Sequence, residues 1–79
     1  MTVDVGRTSG AFTLTYNFYS APDGLYIEHE GTRIYDTGGL VSGSLTTSVS
    51  FSGTSSIVTV TVYASNDGSV WQATIGCAV

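Results

Sequence analysis

The chain has 79 residues and a formal net charge of −4, yet only 10% of its residues are charged and none is lysine. That length allows one domain, expected over residues 1–79, with a core that covers only roughly 60–65% of the surface an unfolded chain exposes. Arg7 and Arg33 are the only basic side chains. No patch exists to neutralise nucleic-acid phosphates or to bind an anionic membrane surface, so neither is expected as a partner.

In chain order, Met1 is followed by Thr2, Val3 and Asp4, without the positive and apolar regions of an export signal. No apolar run approaches the length of a membrane span. Residues 3–5 form a short candidate edge strand before Gly6. Residues 11–19 give the clearest alternation: Phe12, Leu14, Tyr16 and Phe18 share one face, and Thr13, Thr15 and Asn17 the other. Pro22-Asp23-Gly24 is a turn signal, since proline presets φ, aspartate caps and glycine accepts φ > 0. Leu25, Ile27 and His29 then alternate with Tyr26, Glu28 and Glu30. Glu30-Gly31 is a hairpin turn into residues 32–36, and Gly38-Gly39 ends that strand.

Leu45, Thr47, Val49 and Phe51 alternate with Thr46, Ser48 and Ser50. Residues 52–56 are a loop. Residues 57–64 are the most β-prone stretch, with Val58, Val60 and Val62 on one face. Asn66-Asp67-Gly68 marks the last turn, and residues 70–75 close the chain with Trp71, Ala73 and Ile75 on one face. Turn signals recur about every 8–12 residues, as in a sandwich or small barrel. The expectation is an all-β antiparallel sandwich, jelly-roll or Ig-like, of about 7–8 short strands. Its core is expected to stack Phe12, Leu14, Tyr16, Phe18, Val49, Phe51, Val58, Val60, Val62 and Trp71.

Little here suggests catalysis. His29 is the one histidine and is expected to be a partly buried strand residue; with no second histidine and no cysteine near it, it builds no common zinc site. Glu28 and Glu30 would stand roughly 7 Å apart on one strand face, but a chain this short has little room for a substrate cleft. Cys77 is the only cysteine, so no intrachain disulfide forms; it is expected to be a small buried or half-exposed apolar residue of the last strand. No enzyme and no organic cofactor is expected.

Two sets of residues are candidate binding groups. Asp23, Asp36 and Asp67 each sit at a loop or strand end beside glycine or near it. Hard oxygen ligands from separate loops suit calcium, although aspartate next to glycine is also ordinary turn chemistry. Tyr26, Tyr35 and Trp71 are candidate stacking residues for a sugar or a protein partner, with Tyr19, Tyr26, Tyr35 and Tyr63 expected to face outward. Serine and threonine fill 23 positions and keep the surface soluble without charge. Such a surface defends sheet edges poorly, because small sandwiches usually guard theirs with lysine. The edges are therefore expected to be covered by further subunits.

Ser20-Ala21-Pro22-Asp23-Gly24-Leu25-Tyr26-Ile27, then Glu30-Gly31, then Tyr35-Asp36-Thr37-Gly38-Gly39-Leu40-Val41-Ser42-Gly43 resembles small β-sandwich modules of bacterial extracellular and phage structural proteins. Those modules often run from a Pro-Asp turn through a hairpin to Asp-Thr-Gly and Val-Ser-Gly. They end on a strand with an aromatic residue, where Trp71 stands here. The resemblance spans most of the chain and implies a non-enzymatic module for adhesion, carbohydrate contact or virion architecture, with Asp23 and Asp36 as calcium-linked motif acids. Gly24 departs from it, standing where such modules often carry a basic residue.

The expected function is a structural protein working in many copies, a virion component such as a capsid decoration or tail-associated protein. The alternative is a calcium-dependent carbohydrate-binding or adhesin module. The expected partners are copies of the chain, other structural proteins or glycans, in a virion or extracellular setting.

Overall fold

The computed structural model describes residues 1–19, 22–64 and 71–79. Seven strands run in chain order: β1 (Thr2–Asp4), β2 (Ser9–Asn17), β3 (Asp23–His29), β4 (Thr32–Asp36), β5 (Ser44–Ser52), β6 (Ile57–Ala64) and β7 (Gln72–Ile75). They form two antiparallel sheets, one ordered β1-β6-β3-β4 and the other β5-β2-β7. The fold is the all-β sandwich that two-residue alternation predicts.

The inner strands decide between the two expected architectures. β2 pairs with β5 in one sheet, and β3 with β6 in the other. This is the Ig-like arrangement of second with fifth and third with sixth strand, not the eight strands of a jelly roll. The fourth strand and the terminal strands depart from it: β4 lies beside β3 rather than beside the fifth strand. An Ig sandwich sets its first strand beside the second and its last beside the sixth; here β1 lies beside β6 and β7 beside β2. Both chain ends are tied down. The Met1 amino group donates to the Val60 carbonyl at 2.8 Å, and Val60 N–H donates back to Met1 at 2.7 Å. Val79 N–H donates to the Ala11 carbonyl at 2.9 Å, and Ala78 N–H to that of Val5 at 2.8 Å, linking the last residues to both sheets.

Every second side chain of β2 points into the core: Phe12, Leu14, Tyr16 and then Phe18 just past the strand end are all buried. Leu25 and Ile27 of β3, Val49 and Phe51 of β5, and Val58 and Val60 of β6 meet them. Phe12 and Phe51 pack tilted at 5.6 Å, and Tyr16 stacks on Phe18 at 4.5 Å. Each fully buried side chain of this size contributes about 1.5–3 kcal/mol. The hairpin between β3 and β4 turns at Glu30 (φ 52°) and Gly31 (φ 79°), the two positive φ values of a type I′ turn, whose twist matches the flanking strands.

Three expectations need correction. Trp71 is 44% exposed rather than in the core, because it precedes β7 and lines an open cleft of about 300 Å³ with Met1, Val60, Thr61 and Val62. Asp23 and Gly24 are not turn residues. Asp23 exchanges hydrogen bonds with Val41 at 2.8 and 3.0 Å and pairs with Ala64, so neighbours on both sides hold it extended as the first residue of β3. Cys77 is exposed and lies past the end of β7 rather than in the last strand. Leu45 keeps the inward phase of β5 yet is 41% exposed. The predicted turn at Asn66-Asp67-Gly68 lies outside the described residues.

Leu14 has no exposed surface, whereas its neighbour Thr13 faces solvent. Leu14→Ala is expected to lower the unfolding free energy by about 2–5 kcal/mol, and Thr13→Ala to change it by about 0.5 kcal/mol or less. Urea denaturation compares the two, and equal losses would contradict the assigned faces.

Candidate functional site

Of the proposed calcium ligands, the two described ones, Asp23 and Asp36, lie in different surroundings. Asp23 is wholly buried at the start of β3, and strand alternation turns it inward with Leu25 and Ile27. Asp36 ends β4 opposite Tyr26 on the outer face. There it accepts from Arg33 at 2.9 Å and from the Gly38 amide at 2.8 Å. The Gly38 amide first and Arg33 second hold the Asp36 carboxyl below the ordinary range. Asp67 lies outside the described residues, and among those described no three His, Cys, Asp or Glu side chains group as metal ligands.

The three stacking candidates are likewise dispersed. Tyr35 pairs with Ile27 and packs against the core, not outward as expected, because its register sets it on the inner face. Burial first, then the nearby Tyr16, raises the pKa of its hydroxyl. Tyr26 does face outward, but the Arg33 guanidinium lies 3.8 Å from the centre of its ring, a cation–π contact that occupies one face. Tyr63 stands 6.3 Å from Tyr26 and lies over Gly24, where a Cβ would collide with its ring. That contact leaves no room for a side chain at position 24. Trp71 belongs to the cleft described above.

The candidate catalytic groups are occupied by structure. His29 is buried and donates Nε2–H to the Ser55 carbonyl at 2.7 Å, with the Phe51 ring edge-on at 5.1 Å. A register shift between Ile27 and Glu28 and the hairpin turn at Glu30 separate the two glutamates. Glu30 reaches back to the loop after β5, accepting from the Thr54 hydroxyl at 2.6 Å and the Thr54 amide at 3.1 Å. These two bonds, in that order, lower its pKa. Nothing in the spacing of Glu30 and Thr54 announces this clasp, because they are brought together by the sandwich and not by the sequence.

What the structure gathers is a surface that the sequence leaves scattered. Among the described residues, every charged side chain lies on β1, β3, β4 or the connections after β1 and β3: Asp4, Arg7, Asp23, Glu28, Glu30, Arg33 and Asp36. The sheet β5-β2-β7 carries none. Its outer face is a field of hydroxyl and amide groups in register, with Thr15 opposite both Thr46 and Thr74 and Thr13 opposite Ser48. The Thr15 and Thr46 hydroxyls are 3.3 Å apart and share a hydrogen bond.

The four sheet edges differ sharply. β1 is three residues long and carries Asp4; β4 is five residues long, carries Arg33 and Asp36, and contains a register shift. β7 is four residues long and runs into a segment bonded to Thr13, Ala11 and Val5. Short length, charge and irregularity are the usual guards of an edge. β5 has none of them. It runs nine residues, without charge, proline or a break in its register with β2. Phe18 N–H donates to the Gly43 carbonyl at 2.8 Å, one step beyond the β2–β5 ladder. This sets the phase: residues 45, 47, 49 and 51 turn their backbone groups to β2, and residues 46, 48 and 50 turn theirs outward. Among the described residues, no backbone group pairs with those of Thr46, Ser48 and Ser50.

No family model, no curated protein and no solved structure matches this chain.

Glu30 is more acidic folded than unfolded, so its bonds add stability above the unfolded pKa and lose it as pH falls through the folded one. Glu30→Gln is therefore expected to lower the melting temperature at neutral pH and to leave it nearly unchanged at a pH of about 2, where both forms are neutral. Thermal melts at the two pH values check this. An equal deficit at both would show that the charge on Glu30 plays no part.

Proposed function

We propose that this protein is a non-enzymatic structural module that works in a multi-copy assembly. A virion component, such as a capsid decoration or tail-associated protein, is the setting to which the resemblance of its sequence motifs points. One observation carries the reading: the longest edge strand of the sandwich is uncharged, regular and open, with backbone donors and acceptors directed at solvent. An edge of this kind is a template for another strand. A protein that lived alone would gain from a charge or a proline there.

Other features agree. Met1, Leu45, Ile57, Tyr63 and Trp71 are all exposed apolar or aromatic groups, and a chain of this size has too little core to be wasteful with them. His29 Nδ1 lies 3.7 Å from Glu30 Oε2, but the buried His29 ring is bonded to the Ser55 carbonyl and Glu30 is clasped to Thr54, so both groups are taken up by structural contacts. The dispersal of Tyr26, Tyr35 and Trp71 over three surroundings favours assembly over a carbohydrate platform. Weak contacts of single subunits would add up through multivalency once many copies are held together.

Sedimentation velocity and light scattering over a wide concentration range test the proposal. The expected result is a rising mass, in multiples of the 8.2 kDa chain, as concentration increases. A single 8.2 kDa species at every concentration, alone and with any particle isolated alongside it, would overturn it.

A further inference from the structure

We infer that the β5 edge is filled by β5 of a second copy, running antiparallel about a twofold axis at Ser48 and joining two three-stranded sheets into one of six strands. The inference rests on the multi-copy reading and specifies its joint.

Three observations select the occupant. The first is charge. Each chain carries −4 formally, so two copies repel through most of their surface, but β5 and the other two strands of its sheet hold no charged side chain. Past the Ser52 end of that edge stands Glu30, clasped to Thr54. Antiparallel pairing sends the two Glu30 carboxylates to opposite ends of the joint, where a parallel pairing would set them side by side.

The second is register. Only pairing centred on Ser48 engages all nine residues of both strands, because Ser44 then meets Ser52 of the partner subunit at each end. The outward backbone groups of Thr46, Ser48 and Ser50 fall opposite those of the partner's Ser50, Ser48 and Thr46. They close an unbroken antiparallel ladder. On the outer face this matches small hydroxyl side chains with their like, with no bulk to collide.

The third is Leu45. It points toward the core side of its sheet yet is 41% exposed. In this register it lies across from the partner's Phe51, so the added strand covers an apolar side chain that its own chain leaves bare. The other edges offer no such match: β1 and β4 are short and charged, and the end of β7 is held by the terminal segment.

Spin labels read the register directly. In a Cys77→Ser background, which removes the exposed thiol, Ser48→Cys and Ser52→Cys are each labelled with a nitroxide and examined at associating concentrations. The expected result is strong dipolar broadening for the label at position 48. For position 52 a separation of about 27 Å is expected, eight residues of strand rise. Sedimentation of Ser48→Pro, which removes an outward N–H without touching the β2 ladder, is expected to show association weakened at least about tenfold, the loss expected when a joint of several hydrogen bonds is cut. Ser48→Lys serves the same end if circular dichroism shows the proline variant unfolded.

If the unaltered chain associates while label 48 shows no broadening and both variants associate normally, the β5 joint is wrong and the multi-copy reading survives. Short distances at both 48 and 52 would mean parallel pairing and also overturn the joint. If the unaltered chain never associates, both fall.

Discussion

The sandwich depends on β2 being paired on both sides while its inward side chains fill the core. Its even residues exchange backbone bonds with β5 and its odd residues with β7 and the chain's last residues. Phe12, Leu14 and Tyr16 therefore enter the core on a strand that cannot slip. A shift of one residue would turn that whole apolar set to solvent and bring Thr13, Thr15 and Asn17 inward. The second sheet is then placed by what it must cover: Leu25, Ile27, Val58 and Val60 are the complementary inward sets of β3 and β6.

The same constraint decides where the molecule is exposed. Seven strands in two sheets leave four edges, and among the described residues no helix covers them. Three edges are blunted by shortness, charge, irregularity or the tied terminal segment. The fourth is β5, long because it must match β2 along its full length. Its charge-free sequence leaves it with the properties of an inner strand in an edge position. The outer face of its sheet is equally uncharged, while the described acids lie on or beside strands of the opposite sheet. That segregation gives the molecule one face that repels its copies and one edge that does not.

Much of the fold could be read from residue order. Alternation located six of the strands and the inward sets of β2 and β6. Glu30-Gly31 marked the hairpin because both positions take positive φ. Alternation reports which residues share a face, but not which strand lies beside which. For that reason the exchange of terminal strands, with β1 beside β6 and β7 beside β2, was not visible. The errors follow from the same limit. The sequence reads Tyr35 as outward and Trp71 as core, yet the first is set inward by its register with Ile27 and the second stands exposed before β7 begins. Asp23 reads as a turn residue from Pro22-Asp23-Gly24, but the pairing with Val41 and Ala64 makes it a buried strand residue. The clasp of Glu30 on Thr54 depends on a fold-level approach and leaves no trace in spacing. The scarcity of charge pointed to vulnerable edges, though only the topology reveals that β5 is the vulnerable one.

Amide hydrogen exchange, resolved by residue along β5, tests the open edge most directly. In dilute solution the N–H groups of Thr46, Ser48 and Ser50 should exchange quickly, while those of Thr47, Val49 and Phe51 stay protected by β2; at high concentration the first three should become protected as well. Slow exchange at Thr46, Ser48 and Ser50 at every dilution would mean that the edge is already closed within one chain, and the account would fail.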